Sequence, residues 1–315
     1  MATTPATAQP SWLIENPEYI SNRFYMAADS YSGIPTPPIV QEIANGNEKG
    51  LQPQINIQGY ILGNPKTTSE EGNYRVQYVH GMALISDELY LSLKKNCKGE
   101  YQNIDPENKL CLRDMEYYSK CLEKIDIYFI LNPFCTDDWL KQQEKGMQRR
   151  SLARNIEARF ETPLIVPDIA CENFLFFLLT QWANHKSVRE ALHIGEGTIG
   201  EWSRCYKHNY ESNILNSVPF HVNLSAKGYR SLIFSGDHDA VVPFISTQAW
   251  IKSLNYSIVD DWRPWYLNDQ VAGYTRTYSN KMTFATLKGA GHTAAELKPD
   301  ESYAMFVRWI SDKPL

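Results

Sequence analysis

The sequence predicts an α/β fold, and two observations carry the prediction. Short apolar runs that suit buried strands alternate with stretches of helical periodicity. Polar residues follow several of these apolar runs at the point where each strand would end. Ligands of open α/β sheets bind outside the carboxyl ends of the strands. We therefore expect a functional site along that edge of the sheet.

The first predicted strand leads directly into a turn and then a helix. Residues 23–28 are a short apolar run, and residues 29–33 form a tight turn behind it. The prolines in residues 34–43 suit a first helical turn, where N–H groups lack intrahelical partners. Strand, turn and helix therefore meet at Ser30.

The middle of the chain is predicted to interrupt the sheet. Residues 54–62 alternate like a second strand, and residues from about 66 to 220 then form a mixed, Tyr- and Cys-rich stretch with helical segments. We expect a single domain over residues 1–315 in which this stretch is a helical insertion, or cap. A basic stretch at about 141–161 is either an exposed helix or loop, or a linker that is clipped by proteolysis.

The sheet is predicted to resume after the insertion. Residues 230–235 form a buried strand that stops at the turn 236–239, and residues 282–287 form another that stops at the turn 289–292. An amphipathic helix over residues 303–310 closes the chain.

Composition excludes several classes of protein. The 315 residues are 43% hydrophobic and 21% charged, which is ordinary globular usage and excludes a disordered or fibrous chain. Net charge is −5 and no long basic run occurs, so nucleic acid is not expected as a partner. No stretch approaches the ~18 uninterrupted apolar residues of a membrane span.

Cysteines and sequons point to a different compartment from the N-terminus. The six cysteines lack the close-paired spacing of a zinc site, so we expect no metal, and disulfides if the compartment is oxidising. Asn223 and Asn255 begin sequons that accept glycans only in secretory proteins. The polar N-terminus, however, lacks a secretory signal and by itself favours the cytosol.

Three predicted strand ends carry Ser30, Asp239 and His292. A serine hydroxyl becomes nucleophilic when a histidine takes its proton, and a carboxylate then orients and stabilises that imidazole. The order Ser, Asp, His is that of α/β-hydrolases. Ala28 and Ser32 replace the glycines of the usual G-x-S-x-G pattern. Each residue could also belong to an ordinary turn or surface, but all three in this order favour a catalytic triad.

The surrounding motifs resemble those of the plant serine carboxypeptidase-like family. The resemblance runs from about Trp12 to the C-terminus, and these segments carry it: residues 22–33, 58–65, 235–243, 262–265, 271–276 and 289–293. It implies an α/β-hydrolase fold with a helical cap, a triad of Ser30, Asp239 and His292, and no cofactor or metal. It also implies a secreted or vacuolar protein.

Within this family the resemblance implies either acyl transfer or peptide hydrolysis. Carboxypeptidase members usually carry Glu before the serine, in an acid cluster that holds the peptide's terminal carboxylate. Here Asp29 and Ser32 resemble members that transfer acyl groups from 1-O-glucose esters, so the expected partners are a small acyl-glucose donor and an acceptor hydroxyl. The shorter Asp29 would retune the substrate-binding subsite, and the N–H of Tyr31 would donate to the oxyanion.

The chain departs from the family at its start. Members carry a longer N-terminal section with the first strands of the sheet and a glycine-rich turn that supplies a second oxyanion N–H. We do not find that turn here, and we expect those strands to be missing, as in a truncated form. A non-catalytic chain is therefore a further alternative, since losing one oxyanion donor costs about 10²–10³ in rate.

The family resemblance also implies the disulfide pairing. Cys97 would pair with Cys111, and Cys135 with Cys171, the second bridging the basic stretch. Cys205 would be unpaired because its usual partner lies in the absent section. No partner for Cys121 follows from the resemblance.

Overall fold

The structure of the chain is a computed structural model, and it describes residues 8–134, 172–195, 197–204 and 211–315. These residues fall into two compact units. The first comprises Met1–Glu123, Ile127–Ile130 and Ser212–Leu315, and the second comprises Lys124–Asp126 and Leu131–Glu211. The sheet and the candidate site both belong to the first unit.

Within the described residues, a six-stranded mixed sheet with the order β1-β2-β3-β6-β5-β4 forms the centre of the first unit. Strands β1, β2, β3 and β6 are parallel, whereas β5 and β4 extend the sheet as an antiparallel hairpin. The strand bounds are β1 Phe24–Asp29, β2 Ile57–Gly63, β3 Arg230–Gly236, β4 Ile258–Leu267, β5 Gln270–Tyr278 and β6 Met282–Leu287. The predicted α/β fold is confirmed.

Helices connect and cover the strands. In the first unit they are α1 Ala8–Glu15, α2 Thr36–Glu48, α3 Arg75–Gly81, α4 Asp87–Cys97, α5 Lys109–Leu122, α8 Val218–Ala226, α9 Phe244–Ser253, α10 Ala294–Leu297 and α11 Pro299–Ile310. The described part of the second unit contains α6 Glu172–Asn184 and α7 Lys186–Ala191.

The core lies on both faces of the sheet because successive strand residues point to opposite sides. On β2, Tyr60 and Leu62 pack into one apolar cluster with helices α2, α8 and α9. Ile61 packs into a different apolar cluster, which includes residues of α11. Every residue of β6 is buried, which is typical of a strand covered on both faces. This packing holds the carboxyl ends of β2, β3 and β6 side by side.

The four parallel strands lie where the sequence predicts them, with ends displaced by three residues or fewer. The β4–β5 hairpin was not predicted. β4 is largely exposed and contains Pro264, as a strand at a sheet edge can, so it lacks the apolar run that marks a buried strand. The interpretation of β1 as buried is wrong. In the described sheet it pairs with β2 alone, and its residues are half-buried or exposed.

Between β2 and β3 the described residues contain helices and no strand, which agrees with a helical insertion. The Cys97–Cys111 disulfide joins the end of α4 to the start of α5, as the family resemblance implies. Cys121 is exposed and forms no disulfide with another cysteine of the described residues. Cys135, Cys171, Cys205 and the basic stretch at about 141–161 lie outside the described residues.

The described residues contain neither a membrane-spanning helix nor a cluster of metal-binding side chains. No helix there is long and apolar enough to cross a bilayer. No group of three or more His, Cys, Asp or Glu side chains there is arranged to hold a metal ion.

A buried histidine that is not part of the predicted triad lies in the core. His221, on α8, is fully buried, its Nδ1 lies 2.7 Å from the Tyr60 hydroxyl, and its ring packs against Trp250. Burial lowers the pKa of His221 to about 3, because the low-dielectric core disfavours the imidazolium. The side chain is therefore neutral in the folded protein at pH values where it is charged in the unfolded chain.

We expect His221 to make the stability of the protein sensitive to acid. Unfolded histidine binds a proton below about pH 6.5, so stability falls as the pH drops below that value towards the folded pKa. Between about pH 7.5 and pH 5 the wild type should lose about 2 kcal/mol more unfolding free energy than His221→Asn. Urea unfolding at both pH values measures this. Leu224→Ala, on the same helix, is the control and should lower the free energy of unfolding by the same amount at both pH values. If the unfolding free energies of wild type and His221→Asn depend equally on pH, the prediction is contradicted.

Candidate active site

Ser30 lies at a sharp turn between β1 and α2. Its φ of 56° falls in the left-handed region, which non-glycine residues rarely adopt, and a short 3₁₀ turn, Ser30–Gly33, follows it. The N–H of Lys66 donates to the Ser30 carbonyl at 2.9 Å. This is the strained strand-to-helix geometry that presents a serine hydroxyl beyond the end of a sheet.

Asp239 follows β3 and is completely buried. Its Oδ1 accepts hydrogen bonds from the N–H groups of Val241 (2.7 Å) and Val242 (3.2 Å). Its Oδ2 lies 2.7 Å from His292 Nδ1 and accepts a bond of 2.7 Å from Asn64 Nδ2. A buried carboxylate is strongly destabilising unless it is hydrogen-bonded, and here both oxygens are fully used.

His292 lies after β6 and connects the other two predicted residues. Its Nδ1 is 2.7 Å from Asp239 Oδ2, and its Nε2 is 2.7 Å from Ser30 Oγ. With Nδ1–H donating to the carboxylate, the neutral ring accepts the serine O–H at Nε2. The side chain is only 6% exposed, so the alternative of a surface histidine is excluded. The three residues thus form a continuous hydrogen-bonded line, with the geometry of a Ser-His-Asp triad.

Asn64 is a site residue that the sequence analysis missed. It follows β2, is fully buried, and has a φ of 40°. Its Nδ2 donates to Asp239, and its Oδ1 accepts from the N–H of Gly236 at 3.2 Å. Two signals could have found it: the turn after β2, since asparagine tolerates the left-handed region better than most residues, and its place in the segment 58–65 that carries the family resemblance.

Asp237 is a second residue that the sequence analysis missed, and its side chain connects the two loops that carry Asp239 and His292 by a hydrogen bond. Its Oδ1 accepts a hydrogen bond of 2.7 Å from the N–H of Gly289, and the same oxygen lies 2.6 Å from His238 Nδ1. The carboxylate therefore links the ends of β3 and β6 a few residues before the triad members.

Asp29 is the last residue of β1 and retains contact with solvent. Its carboxylate lies against Gly63, where a Cβ would come within 2.6 Å of Asp29 Oδ1. Partial removal from water raises the pKa of Asp29 to about 6, and the Asp239 charge acts in the same direction while His292 opposes it. An acid beside the triad therefore changes its charge within the physiological range.

The remaining predicted residues lie on the surface. Tyr31 is about half exposed and immediately follows Ser30, with Lys66 Nζ 5.9 Å from the centre of its ring. Asn223 is exposed on α8, and its Nδ2 donates to Gln41 Oε1 at 3.1 Å. Asn255 is exposed directly after α9. Both sequon asparagines are therefore accessible from solvent.

Removal of the Asn64 amide should weaken activation of Ser30. In Asn64→Gly the backbone keeps its positive φ without strain, but Asp239 loses one donor. A hydrogen bond to a charged group contributes about 1.5–3 kcal/mol, so labelling of Ser30 by a fluorophosphonate should slow about 10- to 100-fold. Asn268→Gly, in the turn between β4 and β5, is the matched control because Asn268 also has a positive φ. Equal labelling rates in the two variants would contradict the role of Asn64.

Comparisons with known proteins identify the family of the chain. The family model for serine carboxypeptidases, Peptidase_S10, matches residues 2–312. Serine carboxypeptidase-like 10 and serine carboxypeptidase-like 9 of Arabidopsis thaliana are 55% and 53% identical over 306 residues, and each match covers 96% of this chain. The match spans 64% of the length of each relative.

The fold agrees with a solved structure as well. The crystal structure of Kex1(Δ)p, a prohormone-processing carboxypeptidase from Saccharomyces cerevisiae, superposes with a TM-score of 0.64 at 15% identity. The match covers 96% of this chain and 64% of that one. This likeness supports the α/β-hydrolase type of fold. On the family model and the sequence identities together, the chain belongs to the serine carboxypeptidase family.

Proposed function

We propose that the chain is a serine carboxypeptidase-like acyltransferase, which moves an acyl group from a 1-O-glucose ester to an acceptor hydroxyl. The observation that carries the proposal is the hydrogen-bonded line from Ser30 through His292 to Asp239. The choice of acyl transfer is supported by Asp29 and Ser32, which resemble the acyltransferase type of the family. No cofactor or metal is needed for this chemistry.

The first half-reaction forms an acyl-enzyme. Ser30 Oγ attacks the ester carbonyl while His292 Nε2 takes the serine proton, and Asp239 stabilises the resulting imidazolium. The N–H of Tyr31 donates to the oxyanion that develops on the carbonyl. The bond to glucose then breaks, and His292 returns the proton to the departing glucose oxygen.

The second half-reaction regenerates the serine. The acceptor hydroxyl gives its proton to His292 as its oxygen attacks the acyl carbon. The bond to Ser30 Oγ breaks, and His292 protonates that oxygen. Peptide hydrolysis, the second candidate, uses the same steps with an amine as the leaving group and water as the acceptor.

We also propose that the protein is secreted or vacuolar. The Cys97–Cys111 disulfide supports an oxidising compartment. Asn223 and Asn255 are accessible to glycosylation there.

Fluorophosphonate labelling of the purified 315-residue chain tests the nucleophile. We expect labelling of the wild type and none of Ser30→Ala, because the mutant lacks the attacking oxygen. Ser279→Ala, an exposed serine in the turn after β5, is the matched control and should label normally. A folded wild type that is not labelled would favour the non-catalytic alternative.

A product assay separates the two enzymatic candidates. Incubation with 1-O-benzoylglucose and excess ethanol should yield ethyl benzoate and glucose, whereas a blocked dipeptide should release no amino acid. The opposite result would identify a carboxypeptidase.

The pKa of Asp29 gives a second discriminating prediction. A protonated Asp29 can donate to a terminal carboxylate, whereas the ionised form repels it. The inhibition constant of the blocked dipeptide against fluorophosphonate labelling of Ser30 should therefore rise about tenfold between pH 5 and pH 7. KM for the uncharged glucose ester should not follow this ionisation. In Asp29→Asn the inhibition constant of the dipeptide should become independent of pH over this range. A pH dependence that survives the substitution would exclude Asp29 as its source.

A further inference from the structure

Residues 127–130, which we call the strap, lie beside the loop that carries Asp239. The N–H of Ala240 donates to the Ile127 carbonyl at 2.9 Å. The N–H of Ile130 donates to the His238 carbonyl at 3.1 Å. The strap is therefore bonded on both sides of Asp239, although it is more than 100 residues earlier in the chain.

The strap also contacts the loop that carries His292. The N–H of His292 donates to the Tyr128 carbonyl at 2.6 Å. The two rings meet edge to face, with centres 5.5 Å apart and planes at 66°. A Cβ at Gly291 would lie 2.5 Å from the Tyr128 carbonyl oxygen, so the close approach requires glycine at that position. Tyr128 thus holds both the backbone and the imidazole of His292.

The neighbouring aromatic residue of the strap does not share this contact. Phe129 meets the ring of His238 edge to face, with centres 6.4 Å apart. Tyr128 and Phe129 are similar in size and adjacent in sequence. Of the two, only Tyr128 packs on the imidazole that bonds to Ser30. This difference provides an internal control.

We propose that Tyr128 is a positioning residue for His292. We also propose that the strap holds the loop that carries Asp239 and the loop that carries His292 in fixed positions relative to each other. The proposal rests on the proposed catalytic use of Ser30. Rotation of the imidazole breaks its bonds to both Ser30 and Asp239, and the ring of Tyr128 resists that rotation by packing on one side of it. Loss of an edge-to-face pair of this kind should lower the population of the correctly oriented imidazole, and the rate that depends on it, by about two- to tenfold.

The test measures the fluorophosphonate labelling rate as a function of pH. Tyr128→Ala should label about tenfold more slowly, and the midpoint of its pH–rate profile should move to higher pH because water reaches the imidazolium. Tyr128→Phe should match the wild type, since the proposal uses the ring and the backbone carbonyl but not the hydroxyl. Phe129→Ala should keep the wild-type midpoint. A Tyr128→Ala profile that coincides with that of Phe129→Ala would overturn the proposal.

A second measurement does not depend on catalysis. In ¹⁵N-histidine-labelled protein the Nδ1 proton that His292 shares with Asp239 should give a downfield resonance, assigned by its loss in His292→Ala. We expect this resonance to broaden or move upfield in Tyr128→Ala, and in Tyr128→Leu if the alanine variant does not fold, but not in Phe129→Ala. An unchanged resonance would refute the positioning role. Absence of wild-type labelling with a perturbed resonance would contradict the proposed function and leave the positioning role supported.

Discussion

The buried Asp239 carboxylate is the group on which the site and much of the surrounding fold depend. Its two oxygens take donors from Asn64 after β2, from His292 after β6, and from the backbone of Val241 and Val242 within its own loop. A carboxylate with no exposure would be strongly destabilising if any large part of this shell were lost. The same bonds that satisfy the charge therefore hold three strand ends together and orient the imidazole.

Ser30 provides the complementary constraint, because its backbone is strained whereas the side chain of Asp239 is fully hydrogen-bonded. A positive φ at a non-glycine residue persists only when the surroundings determine it. Here the N–H of Lys66, which follows β2, donates to the Ser30 carbonyl and fixes it. The strain turns Oγ towards His292, so the geometry for attack exists before any substrate binds.

The distinction between transfer and hydrolysis depends on the surroundings of the triad. Both reactions need the same nucleophile, base and acid, and differ in the group that enters the site beside them. Asp29 is placed to affect that choice because its carboxyl lies close enough to Asp239 and His292 for their charges to shift its pKa. Tyr128 acts on the base itself, through the backbone and ring of His292. On the two proposals, specificity depends on Asp29 and the orientation of the base depends on Tyr128, and neither residue is a member of the triad.

The sequence by itself determined the parallel strands and the three residues at their ends. Apolar runs mark β1, β3 and β6, alternation marks β2, and the order of Ser30, Asp239 and His292 indicates the chemistry. These signals are local, because a buried strand and the polar turn after it are adjacent in the chain.

Only the tertiary structure decided which other residues support the site. Asn64, Asp237 and Tyr128 act on partners that are distant in sequence. Asn64 and Asp237 lie inside segments that carry the family resemblance, but the local sequence does not show which partners they bind. The β4–β5 hairpin was likewise invisible, because an exposed edge strand carries no continuous apolar pattern. Local pattern reports which segments are buried, whereas hydrogen-bond partners across strand ends depend on how those segments are brought together.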